Sequence, residues 1–503
     1  MKRQLLLGVD LGTTATKAAL YTLEGAVVAE ARTEIPLSTP AIGVVEQRLE
    51  DIYESAAAAV KACLAGANAD PSPIAAMAFD SQMAGVGAVD EDFRPVAHFD
   101  SWLDMRCQPY IEFMDRKCGD RITALTGCPP TCDHGPKILW WMNDRPADYA
   151  RIAKFLMPSA YVAGRCVGLR AEQAYMDYTF LHFTGLSDAL AGGWSSELCS
   201  TFGVDMSRLP RIVAPWEVVG ELREEAAREF GLCAGIPVAA GCGDTAAGML
   251  GAGVVRPGML LDTAGTASVL ACSTDRFVAD TANRTLITMR SVIAGLWHPL
   301  AYVAGGGLVL RWLCDHFLDG DKSYEALFAA VAAAPPGCDG LTFSPHLGGR
   351  ICPAAAGMRG AWVGFSWSHT KAHFLRSAVE SIAYEYAYYL EILRQLIPGL
   401  GLVEGRVIGG GSQLRAWNQM KADVMGVPLR RVMRQESATW GAAMIAGKAA
   451  GLIGDLAAHA EACAAVEQEC AAPHERLREL YRQGYLRYRH WQDTLNEGFH
   501  FDD

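Results

Sequence analysis

The sequence predicts a duplicated α/β fold of two lobes, and three observations predict it. A strand–turn–strand opening runs into a helix. A second strand–turn–strand of similar wording returns near the middle of the chain. Glycine and proline cluster just ahead of that second copy. A length of 503 residues also exceeds the roughly 250–300 at which single cores stop growing.

In the first copy, residues 4–11 read as a buried strand and Gly12-Thr13-Thr14 as a turn. Residues 17–21 and 26–33 read as further strands, and 51–67 carry Ala, Val and Leu at helical spacing. In the second copy, residues 258–262 read as a strand, Thr263-Ala264-Gly265-Thr266 as a turn, and 267–272 as the returning strand. Both copies put an acid at a strand end (Asp10, Asp262) and a Gly-Thr pair in the turn after it. Gly253, Pro257 and Gly258 mark the boundary, giving lobes 1–253 and 254–503. Further on, 375–396 and 413–425 read as helices. Between them the strand Arg406-Val407-Ile408 meets Gly409-Gly410-Gly411, with Ser412 placed to cap the next helix. Residues 436–450 form an Ala/Gly-rich helix suited to close packing on a ligand or another helix. Residues 473–495 form an amphipathic one, with Tyr481, Tyr485, Tyr488 and Trp491 on its apolar face; it packs on the body and is free to return to the first lobe.

Composition narrows the function. Hydrophobic residues make up 51% and charged residues 20%, enough for a sizeable core. A net charge of -12 argues against nucleic acid, which needs clustered Lys and Arg, but leaves room for a phosphorylated small molecule held by backbone N–H groups. The fifteen cysteines lack zinc spacing, since no second Cys/His pair follows Cys128 and Cys132. They read as thiols of a reducing compartment. The apolar run before Asp10 is too short for a signal-peptide core, and no run of about eighteen apolar residues would span a membrane. A cytoplasmic protein is expected.

Four segments can carry chemistry. In Asp10-Leu11-Gly12-Thr13-Thr14-Ala15-Thr16-Lys17, a Gly-Thr-Thr turn offers backbone N–H groups and hydroxyls to phosphate, and Asp10 offers a hard oxygen to Mg²⁺. It lacks the Walker A pattern, and an ordinary hairpin would read the same. Asp262–Ser268 repeats the arrangement, with Gly265 and Thr266 in the turn. Gly241-Cys242-Gly243-Asp244 sets an acid in a glycine-rich turn, where it can accept a hydroxyl proton or simply cap the helix behind it. Gly409-Gly410-Gly411-Ser412 lets a flat ring or phosphate approach the backbone, or is only a flexible loop.

In this order and at these separations the four segments resemble those of the FGGY family of carbohydrate kinases. Gly360-Ala361-Trp362-Val363-Gly364-Phe365 with His373–Glu380 resembles the family's C-terminal signature, Phe365 departing at an aliphatic position. Lys137–Asn143 resembles the second half of the N-terminal signature. The resemblance covers nearly the whole chain. It implies an actin-like, duplicated ribonuclease-H-like fold with ATP in the inter-lobe cleft. It also implies Asp244 as catalytic base, and Mg²⁺ held by Asp10 with Asp244 nearby. Gly12, Thr13, Thr14, Lys17, Gly265 and Thr266 would hold the phosphates, and Gly409, Gly410, Gly411, Ser412 and Asn418 the adenosine. Within the family the sequence is most similar to xylulose kinases, whose Gly-Gln-Met-His-Gly and Trp-x-Asp-x-Arg segments line the sugar. Here those positions are Gln82, Met83 and Ala84, then Trp102, Asp104 and Arg106, with Ala84 where histidine is usual. A missing polar contact bears on sugar identity more than on the reaction. D-xylulose is the first expected acceptor, ahead of ribulose, another pentulose or a glycerol-like polyol. A non-catalytic actin-like ATPase or sugar sensor is the reading from another class. No nucleic-acid or membrane partner is expected, and a homodimer is allowed.

Overall fold

The computed structural model describes residues 4–67 and 73–499. The chain divides into two compact units. The first comprises residues 1–255, 288–297 and 436–464; the second comprises 256–287, 298–435 and 465–503.

The first unit is built on β1 (Leu5–Leu11), β2 (Ala15–Thr22), β3 (Val27–Glu34) and β4 (Ile74–Ser81). β1 pairs antiparallel with β2 and parallel with β4, and β2 pairs antiparallel with β3. β1 is buried along its whole length, as its unbroken apolar run requires of a central strand. The short β5 (Cys242–Gly243) adds parallel to the end of β4. The helix Leu49–Ala67 covers one face with Ile52, Ala56 and Val60, which join Leu7, Val9 and Phe79 in the core. The other face takes the helices Asp244–Gly251 and Ser437–Ala449. The second of these is the small-residue helix, and the partners it meets are protein. It lies so close to β1 that a Cβ on Gly8 would stand 1.9 Å from the Thr439 carbonyl oxygen.

The second unit repeats the plan. β6 (Met259–Ala264) pairs antiparallel with β7 (Ser268–Cys272), which pairs antiparallel with β8 (Trp297–Val303). β6 also pairs parallel with β9 (Glu404–Ile408), and β9 with β10 (Leu429–Arg431). The spatial order 3-2-1-4 thus occurs in both sheets, the duplication read from the two Gly-Thr turns. The helices Lys371–Leu396 and Arg415–Met425 bury Leu375, Ile382 and Trp417 in this unit's core. Leu414, not Ser412, is the N-cap of the latter helix; Ser412 lies in the 3-10 turn Gly410–Gln413 that precedes it. The C-terminal helix Arg478–Gly498 packs inside this unit. Tyr481 donates to Glu380 at 3.1 Å and Tyr488 to Glu385 at 2.8 Å, so its buried stripe faces the helix Lys371–Leu396. Among the described residues no helix is long and apolar enough to cross a membrane.

Candidate active site

Parallel strands present their carboxyl ends on one edge, where open α/β sheets bind ligands. In the first unit three acids share that edge. Asp10 on β1 stands in register with Asp80 on β4, and Asp80 with Cys242, two residues ahead of Asp244. Asp244 is the first residue of its helix and is not the cap, which is Gly243. Its Oδ1 accepts from the Thr245 N–H at 2.5 Å and the Thr245 hydroxyl at 3.2 Å, leaving Oδ2 without a hydrogen bond to the described residues on a half-buried side chain.

Burial and proximity raise the proton affinity of all three acids. Burial lifts Asp244 to about 7, with the Asp10 charge adding to it and the Thr245 N–H opposing. Asp10 is raised by burial, partly offset by Lys17. Asp80 is raised well above the ordinary carboxylate range, by burial and then by its Asp10 and Asp244 neighbours. Lys17 supplies the countercharge: its Nζ is 2.7 Å from Glu436 and 3.7 Å from Asp10. Burial works against its ammonium, but Asp10 and Glu436 outweigh it and its proton is held more tightly.

A divalent cation is implied by the family resemblance, and the residues fit one of a particular kind. Among the described residues no three Asp, Glu, His or Cys side chains stand close enough to cage a metal ion alone. Yet both Asp80 oxygens are buried without a hydrogen-bond partner beside Asp10. That suits Mg²⁺, which draws most of its ligands from water and phosphate.

Beside the acids lies a polar network. The Thr13 hydroxyl donates to Gln82 Oε1 at 3.3 Å and accepts from the Trp102 indole N–H at 2.9 Å. The Gln82 amide donates to Gln47 at 2.8 Å, and Gln47 donates to the Thr13 carbonyl at 2.9 Å. Thr13 therefore ties Gln82 and Trp102 together, while Thr14 stands exposed at the turn. Met83 lies over Gly243, where a Cβ would meet its Cε at 2.5 Å. Ala84 holds a left-handed φ of 58°, a conformation that costs a Cβ-bearing residue about 1–2 kcal/mol. Trp102 is 46% exposed, leaving a face open for a flat or hydroxylated ligand.

Asp104 and Arg106 are committed differently. Asp104 is buried and accepts from the Val45 N–H at 2.8 Å and from Arg106 Nε at 3.0 Å. Arg106 also reaches Glu46 at 2.6 Å and Asp100 at 2.8 Å, and lies 4.3 Å above the Trp140 ring. The pair forms a scaffold tied to Glu46, Asp100 and Val45.

In the second unit the counterpart of Asp10 takes another part. Asp262 is fully buried, paired with the buried Lys421, and accepts from the Tyr386 hydroxyl at 2.7 Å. Both its oxygens are taken, so it anchors the core beneath the turn. The turn itself stays open: Thr266 is exposed, and the Gly265 and Thr266 carbonyls accept from the Gly307 and Leu308 N–H groups at 2.9 and 3.0 Å. Gly409 and Gly410 are exposed after β9. Gly409 holds φ +82°, and a Cβ there would stand 2.9 Å from the Ala264 carbonyl, so Gly265 and Gly409 share one edge. Asn418 braces the segment, donating to the Ser412 carbonyl at 2.8 Å. A cavity of about 920 Å³ elsewhere in this unit is lined by none of these residues.

Sequence reasoning missed Asp80, Glu436, Gln47 and the Gly305–Gly307 run. Asp80 was accessible in principle as an acid closing an apolar strand, like Asp10. Glu436 had no local signal, because its partner Lys17 is 419 positions away.

Comparison with known proteins supplies the remaining findings. Residues 5–251 match the FGGY family of carbohydrate kinases, N-terminal domain, and residues 262–450 match its C-terminal domain. A xylulose kinase of Bacillus subtilis is 28% identical over 458 residues, covering 91% of this chain and 90% of that protein. A gluconokinase of the same organism is 27% identical over 462 residues, 89% of this chain and 88% of that one. The crystal structure of xylulose kinase from Rhodospirillum rubrum superposes with a TM-score of 0.90 at 26% identity, covering 99% of this chain and 100% of that one.

Proposed function

The chain belongs to the FGGY family of carbohydrate kinases, and from that premise we propose that it transfers the γ-phosphoryl group of ATP to a hydroxyl of a ketose, D-xylulose first, with Asp244 as the base. The observation that carries the reading is a half-open carboxylate held near neutrality at the carboxyl edge of β4 and β5, beside a second acid.

Asp244 takes the proton of the acceptor hydroxyl at its open oxygen while Thr245 fixes the other. An ordinary carboxylate is too weak a base for an alcohol, and burial beside Asp10 strengthens this one. Trp102, Gln82 and Met83 position the acceptor. Thr13 couples that side to the Gly12–Thr14 turn, whose backbone faces phosphate together with Lys17. In the second unit Gly265, Thr266 and Gly409–Ser412 present backbone to the nucleotide, braced by Asn418. Asp10, with Asp244 nearby, would hold Mg²⁺, which would supply neutralisation of phosphate charge. Positioning and charge stabilisation supply most of the acceleration.

Xylulose kinases recur among the relatives, which supports D-xylulose, while Ala84 and the similar gluconokinase keep other acceptors in view. All fifteen cysteines are free, in keeping with a cytoplasmic site of action. A coupled ADP-release assay over D-xylulose, D-ribulose, gluconate and glycerol tests the reading. It predicts the highest kcat/KM with D-xylulose. ADP release that ignores every acceptor would favour a non-catalytic actin-like ATPase or sugar sensor.

A further inference from the structure

Behind the Trp102–Arg106 segment lies a cluster that phosphoryl transfer does not use. Cys107 caps the helix Gln108–Thr126, and Cys132 stands in the loop that enters the helix His134–Asp144. Their sulfurs are 3.8 Å apart. The buried Lys137 Nζ lies 3.1 Å from Cys132 Sγ and 3.8 Å from Cys107 Sγ, and donates to the Asp104 carbonyl at 2.8 Å. As a thiol, Cys132 donates to that same carbonyl at 2.7 Å. Three side chains from two stretches of chain thus converge on one carbonyl of the segment that carries Trp102 and Asp104.

The two thiols are not equivalent. Cys107 is buried, whereas Cys132 is partly open. The bond from Cys107 and the Lys137 ammonium draw Cys132 down to about 6 against the effect of burial, while Cys107 is driven up by the same bond and by burial. A reachable sulfur beside a cation, with a second thiol in contact, has the properties of a redox-sensitive site.

We propose that Cys132 and Cys107 are a hydroperoxide-responsive pair whose disulfide displaces the Asp104 segment and weakens acceptor binding. The Cys132 thiolate attacks a peroxide oxygen; an S–O bond forms, the O–O bond breaks, and the leaving oxygen takes a proton. Cys107 then attacks the resulting sulfenic sulfur, the S–S bond forms, and the hydroxyl departs as water with the Cys107 proton. Two thiols are oxidised by two electrons and one hydroperoxide is reduced to an alcohol and water. The sulfurs close from 3.8 Å to about 2.05 Å, a movement open to Cys132 because its loop lies outside regular structure. Closure draws Cys132 off the Asp104 carbonyl and removes the anionic partner of Lys137. Formation of the crosslink follows from the cysteines alone; its effect on the acceptor rests on the functional reading above.

The test uses the whole protein, exposed to hydrogen peroxide, digested without reduction and mapped by mass spectrometry. The expected result is a Cys107–Cys132 linked peptide, a several-fold rise in KM for the acceptor with less change in KM for ATP, and reversal of both by dithiothreitol. Cys132→Ser should abolish the link. Cys107→Ser should instead leave a sulfenic acid at Cys132 that dimedone traps, so either variant serves if the other does not fold. Oxidation of the exposed Cys233 with Cys107 and Cys132 still reduced would overturn the pair. A complete crosslink with acceptor KM unchanged would overturn its coupling to the segment. Absence of kinase activity in the reduced protein would overturn the functional reading, while the linked peptide still decides the thiol pair.

Discussion

Replacing Asp244 with asparagine removes the proton acceptor and keeps the side-chain volume. A positioned base contributes about 10²–10⁴-fold, or about 2.7–5.5 kcal/mol of barrier. Turnover with D-xylulose in the coupled assay should fall by that factor, while ATP binding by calorimetry stays within about threefold of the parent. The electrostatics add a second readout. Burial lifts Asp244 to about 7, so it is proton-loaded and inactive in acid, and kcat/KM for the acceptor should climb as pH rises toward 7. Stability has the opposite sign. The folded chain binds this proton more tightly than the unfolded chain, whose carboxyl titrates near 3.8, so folding weakens as pH rises from about 4 to 7. The full displacement corresponds to at most about 4 kcal/mol, and about 1–2 kcal/mol after solvent screening of a half-open group. The asparagine variant should therefore melt higher than the parent at pH 8 while being nearly inactive. A variant that retains a third or more of parental turnover, or is inactive because it is less stable, would refute the reasoning.

Three further outcomes follow from the same structure. Asp10→Asn should raise the Mg²⁺ concentration needed for half-maximal rate about tenfold or more, and should move the acid limb to lower pH by removing the like charge beside Asp244; an unchanged Mg²⁺ titration contradicts the metal role. Lys421→Met removes the cationic partner of the buried Asp262 and should cost about 3–5 kcal/mol by denaturant unfolding, with Asp262→Asn added to it restoring part of the loss. His134 and His182 are buried neutral and held down to about 3, chiefly by burial, so stability present above the ordinary value of 6.5 is lost as pH falls below it. Each adds a slope of about 1.4 kcal/mol per pH unit, visible in melting curves between pH 7.5 and 5.5.

The two sheets were legible because each opens on an apolar run, a Gly-Thr turn and a returning strand, and a buried central strand leaves little other room for such a run. Asp244 was legible from its glycine-rich turn, but its electrostatics were not, because these depend on Asp10 and Asp80 arriving on neighbouring strands. The equivalence drawn between Asp10 and Asp262 holds for the backbone and fails for the chemistry. Lys421 comes 159 residues after Asp262 and turns it into a core ion pair. Asp104 and Arg106 carry a motif that reads as sugar contact, yet Glu46, Asp100 and Val45 already occupy their donors and acceptors. The thiol pair escaped for a similar reason: Cys132 is near Cys128 in sequence but meets Cys107 in space.

The most direct test follows phosphorus itself. With ATP, Mg²⁺ and D-xylulose, ³¹P NMR should show a phosphomonoester of the sugar growing in one-to-one step with ADP, and no growth when Asp244 is asparagine. Release of inorganic phosphate with no sugar phosphate would contradict the account.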